Sequence, residues 1–328
     1  MSIKYYNIDD TLSRDRLFNF VVGPRGVGKT YSAKNRVIKN FINKGEQFVY
    51  IRRYDTELQK SEICKFFDDI SSRYEDHEFI AANGAFRIDK KIAGWYLPLS
   101  KAQLFKSVPF PHVTLIIFDE FIIDTGAYRY LPKEVTSFLE AYSTISRDRD
   151  VKAVFLSNAI TFSNPYFLYF DLKLEPGQNL KLTKDISLEM VTSESYTDHM
   201  NKTRFGRLVK DTDYGKYAFE NSFLRDSNEF IEPLPGNARY IATIIWMKFS
   251  FGVYMSDDYG LMWVSEKVDS TCKNKIAADE ESHNSSTVYG VRINYTIQSI
   301  MDFFMAGRMR FETMRAKNMV LTLTKGRL

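Results

Sequence analysis

The chain has 328 residues, of which 44% are hydrophobic and 26% charged, and its formal net charge is +4. These values are typical of a globular protein with a sizeable core, and the length suits two domains. The two cysteines, Cys64 and Cys272, stand far apart, which argues against a disulfide scaffold and favours a reducing compartment. The most apolar long stretch, residues 240–255, is too short to span a bilayer and contains Lys248, so we expect a soluble cytoplasmic protein with no membrane partner.

A phosphate-binding loop pattern, G-x-x-x-x-G-K-[ST], occupies residues 23–30. The pattern reads Gly23, Pro24, Arg25, Gly26, Val27, Gly28, Lys29 and Thr30. It follows a predicted buried strand over residues 17–22 and opens into a predicted helix over residues 29–42, which is the context that the motif requires. We predict that these eight residues bind a nucleotide, with Lys29 on the β- and γ-phosphate oxygens and the Thr30 hydroxyl on Mg²⁺. The alternative is an ordinary glycine-rich turn with a solvated lysine.

Two carboxylates end a second predicted strand, over residues 114–120. The run is continuously apolar before Asp119 and Glu120, as expected of a central parallel strand whose carboxyl end lies at the ligand-binding edge. We predict that Asp119 holds Mg²⁺, directly or through water, and that Glu120 polarises the water that attacks the γ-phosphate. Carboxylates also end strands for structural reasons, and it is the upstream loop that favours the catalytic interpretation.

Further strands are predicted over residues 47–53 and 151–158, and an antiparallel pair within residues 77–99 with Asn83-Gly84 as its turn. The strand over residues 151–158 ends in a polar pair that includes Asn158. This side chain could sense the γ-phosphate or hold the attacking water, and a strand terminus or helix cap is an equally good interpretation.

A helix predicted from Pro132 carries one apolar stripe and ends beside Arg147 and Arg149. An arginine at this point lies one loop from the nucleotide crevice and could reach a neighbouring subunit. There it would stabilise, in trans, the charge that builds on the γ-phosphate. We choose Arg147 for this catalytic role and keep Arg149 as the second candidate. The alternative is a surface patch of alternating arginine and aspartate salt bridges.

Several segments of the chain resemble the packaging ATPases of small podoviruses related to phage phi29. The resembling segments are the loop at 23–30 and the blocks at 45–54, 118–122, 156–159, 164–168 and 202–208. They cover the chain from about residue 15 to about residue 265, in order and at similar spacing.

The resemblance implies an α/β fold class: a P-loop NTPase of the ASCE type, with a RecA-like parallel sheet and flanking helices, followed by a smaller RNase H-like α+β domain. It implies an ATPase that uses ATP and Mg²⁺ to translocate double-stranded viral DNA into a procapsid. The expected assembly is a homo-oligomeric ring, pentameric in the family, which docks on the portal through a structural RNA and works in the host cytoplasm. In the family, the arginine after the long helix acts in trans, and Arg147 stands at that position.

A polar segment with little apolar periodicity divides the chain. We expect a P-loop ATPase domain over residues 1–197, a linker over 198–230 and a carboxyl-terminal domain over 231–328. The elements predicted for the last domain are strands at 240–248, 250–255 and 261–266, a helix at 297–310 and a strand at 319–323. This succession fits a reduced RNase H-like fold. Since no carboxylate lies inside a predicted strand, we expect docking to RNA or portal rather than two-metal nuclease activity.

Two other functions stay open from the sequence. A different DNA-dependent P-loop ATPase, such as a helicase or a partition ATPase, would share the core but not the blocks at 166–168 and 203–208. A nucleotide-binding scaffold that does not turn over ATP would have no use for Glu120. For a packaging motor, DNA contacts should be weak and directed at phosphates, and the candidate residues are Lys101, Lys106 and Lys133.

Overall fold

A computed structural model describes residues 3–123, 130–131, 133–158, 164–174, 178–210, 212, 230–246, 249–278, 280–289 and 295–325. The chain divides into two compact units, Met1–Arg225 and Asp226–Leu328. Each unit has its own β-sheet. Within the described ranges, the helices all fall short of the length and apolarity that crossing a membrane requires.

The first unit contains a nine-stranded sheet with helices packed on it. Its strands are β1 Phe18–Gly23, β2 Gln47–Arg52, β3 Phe79–Ala82, β4 Ala85–Ile88, β5 Lys91–Pro98, β6 Val113–Asp119, β7 Lys152–Asn158, β8 Leu180–Leu182 and β9 Ile186–Met190. Its α-helices are α1 Ile8–Leu12, α2 Lys29–Lys44, α3 Lys60–Ile63, α4 Glu134–Ser146, α5 Pro165–Tyr169, α6 Glu194–Lys202 and α7 Arg204–Val209. Short 3-10 segments lie at Asp55–Leu58, Cys64–Phe67, Ser71–Arg73 and Leu99–Ser107.

The strand order of this sheet is β3-β4-β5-β2-β6-β7-β1-β9-β8. The six strands from β5 to β9 in this order are all parallel to one another, whereas β4 pairs antiparallel with β3 and β5 at one edge and β8 pairs antiparallel with β9 at the other. Strand β7 lies between β1 and β6. Since parallel strands end at the same edge, the ends of β1, β7, β6 and β2 form one continuous rim.

Each face of this sheet is covered by its own hydrophobic core. Phe18 of β1 packs edge-on against Phe138 of α4 on one face, and Val21 lies in the core of the other face with Ala33 and Val37 of α2. Burial on both faces explains why the central strands are continuously apolar rather than alternating. The predicted α/β class with a parallel sheet and flanking helices is confirmed.

Two local differences from the sequence prediction concern the edges of this unit. Asn83-Gly84 joins β3 to β4 as predicted, but β5 adds a third strand to a region expected to hold a pair. Helix α7 occupies residues expected to belong to the linker over 198–230, because the Thr203 hydroxyl accepts from the Gly206 amide and begins a helix there. Pro132, expected to begin the long helix, lies outside the described residues.

The second unit contains a six-stranded sheet in the order β14-β13-β10-β11-β12-β15. Its strands are β10 Arg239–Trp246, β11 Phe249–Ser256, β12 Leu261–Ser265, β13 Lys275–Ala277, β14 Val288–Tyr289 and β15 Met309–Phe311, and its helices are α8 Tyr295–Met305 and α9 Met314–Lys325. Strands β10, β11 and β12 form the predicted antiparallel meander.

The end of the second unit differs from the prediction. Residues 319–323, expected to form a strand, lie in helix α9, and the strand after α8 is β15. Ala316, Met319 and Val320 are buried at helical spacing, which a short apolar run does not reveal by itself. The helix predicted to reach residue 310 ends at Met305, and Gly307 follows with a φ of 68°. The RNase H-like assignment of this unit stays a prediction.

Candidate nucleotide-binding and catalytic site

At two positions of the loop between β1 and α2, the backbone has a conformation that only glycine adopts easily. Gly26 has a φ of 77° and Gly28 a φ of 89°, both in the left-handed region. A Cβ atom on Gly26 would also overlap the hydroxyl of Tyr196, which donates a 2.6 Å hydrogen bond to the Arg25 carbonyl. Helix α6 therefore holds the loop from outside.

Lys29 is buried at the start of α2. Its Nζ donates to the carbonyl oxygens of Gly23 at 3.0 Å and Pro24 at 2.7 Å. Burial lowers the pKa of Lys29 to about 7, and the nearby Asp119 carboxylate opposes this shift. An anionic phosphate at the loop would supply the charge compensation that the buried ammonium group lacks.

The loop and the acidic strand end meet at Thr30 and Asp119. The Thr30 hydroxyl lies 3.2 Å from Asp119 Oδ1, and the Tyr50 hydroxyl donates to Asp119 Oδ2 at 2.9 Å. Burial raises the pKa of Asp119, while the Arg52 guanidinium opposes this shift. A hydroxyl and a carboxylate side by side are oxygen ligands of the kind that Mg²⁺ takes, so these two residues fit the predicted metal role.

Glu120 follows directly after β6, with a φ of 57° and a side chain that is 59% exposed. Its carboxylate accepts a 2.7 Å hydrogen bond from Arg52, the last residue of β2. The same guanidinium donates to Glu57 at 2.8 Å. Arg52 thus connects the predicted catalytic carboxylate to the neighbouring strand.

Arg53, which follows Arg52 in the chain, forms a buried ion pair with Glu134. Arg53 contacts the Glu134 carboxylate at 2.8 Å and donates to the Phe121 carbonyl at 2.7 Å. Tyr166 donates a further hydrogen bond to Glu134 at 3.1 Å. Because Glu134 begins α4, this pair connects the segment after β6 to the helix that Arg147 follows.

The phosphate-binding loop and the ends of β6 and β7 surround one cavity of about 300 Å³ at the rim of the sheet. Its lining residues are Gly26, Gly28, Lys29, Thr30, Tyr31, Asp119, Glu120, Ser157 and Asn158. Loop, metal candidates and catalytic carboxylate, which the sequence predicted separately, are therefore brought together. Asn158 reaches the cavity because β7 lies between β1 and β6.

The two arginine candidates after α4 have different surroundings. Arg149 donates to the carbonyl oxygens of Phe110 at 2.6 Å, Ile145 at 2.7 Å and Val113 at 2.9 Å. Arg147 is exposed and has a φ of 52°, and its guanidinium has no hydrogen-bond or ion-pair partner among the described residues. Arg149 is therefore occupied within its own subunit, and Arg147 does not line the cavity of its own chain.

Sequence reasoning missed four residues that hold this site: Tyr50, Arg52, Arg53 and Tyr196. The first three lie in the block at 45–54, which is one of the segments on which the resemblance rests. The sequence therefore marked this block as a family feature but did not indicate what its residues do. No local pattern marks Tyr196, since it reaches a loop that is 171 residues away in the sequence.

The fold is a parallel α/β sheet in which the glycine-rich loop between β1 and α2 borders a cavity at the carboxyl ends of the strands. A family model of podovirus DNA encapsidation proteins (Gp16) matches residues 2–327, and the chain belongs to this family. It is 37% identical over 322 residues to the DNA packaging protein of Bacillus phage PZA, covering 97% of this chain and 96% of that protein. The corresponding protein of Bacillus phage phi29 is 36% identical over the same length and coverage.

Solved structures agree with this relationship. A chain of the bacteriophage Phi-29 viral genome packaging motor assembly is similar with a TM-score of 0.77 and 35% identity, covering 98% of this chain and 99% of that one. The N-terminal domain of the DNA packaging ATPase from bacteriophage phi29 is similar with a TM-score of 0.55 and 41% identity, covering 58% of this chain and 97% of that one. The resemblance to phi29-like packaging ATPases is confirmed.

Proposed function

We propose that the chain is the ATPase of a viral DNA packaging motor, which couples ATP hydrolysis to translocation of double-stranded DNA into a procapsid. One observation carries the enzymatic part of this proposal. The Thr30 hydroxyl and the Asp119 carboxylate, 89 residues apart in sequence, lie 3.2 Å from each other at a single cavity. The DNA-packaging part of the proposal is supported by the relatives, whose names describe them as DNA packaging proteins.

The roles of the residues follow from their chemistry. The loop amides and Lys29 would bind the β- and γ-phosphates, and Thr30 and Asp119 would hold Mg²⁺. The metal, when bound, neutralises charge on the phosphate oxygens. Glu120 takes the proton of the attacking water, for which it must exchange its hydrogen bond with Arg52 for one with water. Asn158, on the same cavity, is placed to orient that water.

The proposal extends to a homo-oligomeric ring, with a pentamer expected, in which Arg147 of one subunit completes the site of the next. Its support is that Arg147 is exposed while Arg149 is occupied by backbone carbonyls. A cation that approaches the γ-phosphate stabilises the charge of the transition state. Hydrolysis would then depend on contact between subunits.

Double-stranded DNA, the procapsid portal and a structural RNA are the proposed partners, with the motor docked on the portal in the host cytoplasm. Lys106 and Lys133 are exposed and fit a weak contact with DNA phosphates. Lys101 is engaged with Asp55 at 2.8 Å and is a weaker candidate than it was from sequence. The second unit is proposed to dock on RNA or portal.

The test of the enzymatic proposal compares Lys29→Ala with Lys39→Ala. Both lysines belong to α2, but Lys39 is exposed and outside the cavity. We expect Lys29→Ala to lose ATP binding at millimolar nucleotide and to package no DNA, measured as DNA protected from nuclease inside procapsids. Lys39→Ala should match the parent protein. Unchanged ATP affinity in Lys29→Ala would overturn the proposal.

A further inference from the structure

Tyr50 lies on β2 and reaches the carboxylate at the end of β6. The register of the two strands pairs Tyr50 with Ile117, two residues before Asp119. Since side chains alternate along a strand, Ile117 and Asp119 point to the same face of the sheet as Tyr50. The Tyr50 hydroxyl therefore meets the Asp119 carboxylate and donates to its Oδ2 at 2.9 Å.

The two oxygens of the Asp119 carboxylate have different surroundings. Oδ2 accepts from Tyr50 and lies 3.8 Å from the Arg52 guanidinium. The Thr30 hydroxyl stands 3.2 Å from Oδ1 and 3.4 Å from Oδ2, and within the described ranges Oδ1 has no other hydrogen-bond partner. Tyr50 thus holds the carboxylate by one oxygen and leaves the other beside Thr30.

A cluster of phenylalanines fixes the ring of Tyr50. Its centroid lies 5.1 Å from that of Phe66 and 6.3 Å from that of Phe86, and both contacts are edge-on. Phe48, two residues earlier on the same strand, packs against the same two rings. Because the Tyr50 side chain is buried in this cluster, its hydroxyl has a fixed place.

Packing alone does not explain why position 50 is a tyrosine. A phenylalanine there would keep the contacts with Phe66 and Phe86, as Phe48 does one pleat earlier. A buried hydroxyl costs free energy unless it has a hydrogen-bond partner, so the cluster by itself favours phenylalanine. The bond to Asp119 is what the hydroxyl adds.

Tyr50 is not among the residues that line the catalytic cavity, whereas Thr30 and Asp119 are. A ligand in the cavity would therefore meet the Asp119 carboxylate and not the phenol behind it. Hydrogen bonds to a metal-binding carboxylate fix its orientation, and loss of such a partner typically costs about 10- to 100-fold in metal affinity or activity. Any effect of Tyr50 on a metal ion must pass through Asp119.

We propose that Tyr50 is a positioning residue for the Mg²⁺ ion of the nucleotide: its hydroxyl orients Asp119 so that the carboxylate holds the ion beside Thr30. Tyr50 strengthens the part of nucleotide binding that depends on the metal. The metal-free part, which depends on the loop and Lys29, does not involve it. This inference rests on the proposed function, because Asp119 must hold the ion for Tyr50 to act through it.

The experiment measures binding of β,γ-imido-ATP, which is not hydrolysed, by titration calorimetry with excess Mg²⁺ and again in EDTA. We expect Tyr50→Phe to weaken binding about tenfold with Mg²⁺ and to leave binding in EDTA unchanged. The matched control is Tyr142→Phe. It also removes a hydrogen-bonded hydroxyl, which donates to the Val151 carbonyl at 2.7 Å, but it lies outside the cavity. It should change neither measurement.

A second comparison tests whether Tyr50 acts through Asp119. Asp119→Asn should by itself lose most of the gain in affinity that Mg²⁺ gives. Tyr50→Phe in the Asp119→Asn background should then add less than about a twofold loss, because the carboxylate that it positions is gone. A further tenfold loss in the double variant would show that Tyr50 acts independently of Asp119 and would overturn the inference.

The outcomes separate this inference from the proposed function. If Asp119→Asn keeps the parent's response to Mg²⁺, the metal role in the proposed function fails and the role of Tyr50 fails with it. If Asp119→Asn loses that response but Tyr50→Phe keeps it, or weakens binding equally with and without the ion, the role of Tyr50 is overturned and the proposed function stands. A Tyr50→Phe protein that does not fold, while Tyr142→Phe does, would make the hydroxyl structural and also overturn the inference. Loss confined to the Mg²⁺ measurement supports it.

Discussion

The guanidinium of Arg52 donates a 2.7 Å hydrogen bond to the carboxylate of Glu120 and stands 3.8 Å from that of Asp119. The contact exists because β2 and β6 are neighbours and end at the same rim. While this contact lasts, the Glu120 carboxylate accepts from a guanidinium, and it must give up this hydrogen bond to accept one from water. In the proposed mechanism the position of β2 would therefore influence hydrolysis.

Glu120→Gln should separate binding from turnover. The amide keeps the size of the side chain but does not take a proton, so we expect hydrolysis to fall at least about 100-fold while ATP affinity is kept. The matched control is Glu62→Gln, because Glu62 has the same side-chain exposure of 59% and lies outside the cavity. Steady-state ATPase rates check the prediction. Equal rates for the two variants would show that Glu120 is not the base.

The low pKa of Lys29 predicts that nucleotide binding takes up a proton. Burial lowers this pKa to about 7, and a bound triphosphate raises it again. Above pH 7 the free protein has lost the proton that the complex keeps, so affinity falls as pH rises, by up to about tenfold per pH unit. Below pH 7 this group contributes no pH dependence.

Calorimetry at pH 8 in two buffers with different ionisation enthalpies measures this uptake directly. Nearly one proton per bound nucleotide is expected for the parent protein and for Lys39→Ala. Zero uptake would mean that Lys29 keeps its charge without the ligand.

Arg149→Ala and Arg147→Ala should differ in their effect on stability. Arg149 donates to several backbone carbonyls, including that of Ile145 near the end of α4. Removing these donors should lower the free energy of unfolding by about 1–3 kcal/mol. The exposed Arg147 should leave it within about 0.5 kcal/mol. Urea unfolding of both variants makes the comparison, and a larger loss for Arg147→Ala would contradict this assignment.

Glu134→Ala should be strongly destabilising. It leaves the buried Arg53 guanidinium without its carboxylate partner, which costs about 3–5 kcal/mol in comparable pairs. Glu62→Ala, which breaks an exposed pair with Lys65, should cost less than about 1 kcal/mol. Urea unfolding measures both. A loss from Glu134→Ala no larger than that from Glu62→Ala would show that the buried pair does not hold α4 to the segment after β6.

The sequence could predict the features that are encoded in one contiguous segment of the chain. The strand, glycine loop and helix around Lys29 appear as one contiguous pattern, and the apolar run before Asp119 predicts a buried strand without knowledge of its neighbours. The contact of Arg52 with Glu120 depends on β2 lying beside β6, and strand order is not written in either segment. The same holds for Tyr196, whose helix reaches the loop only in the folded chain.

The errors in the second unit have a related cause. The run at 319–323 is almost wholly apolar but short, and so short an apolar run fits a strand or a buried helix face equally well. The segment forms helix α9 because Ala316, Met319 and Val320 then lie together on one buried face of the helix.

A mixing experiment tests the central claim most directly: ATP bound at Lys29 is hydrolysed by Glu120 with an arginine from the adjacent copy. Arg147→Ala and Glu120→Gln should each be inactive as pure rings. In an equal mixture, about a quarter of the sites pair an intact Glu120 with an intact neighbouring Arg147, so hydrolysis should return in part. If mixtures at every ratio stay as inactive as the pure variants while ATP still binds, the arginine does not act between subunits and the account is wrong.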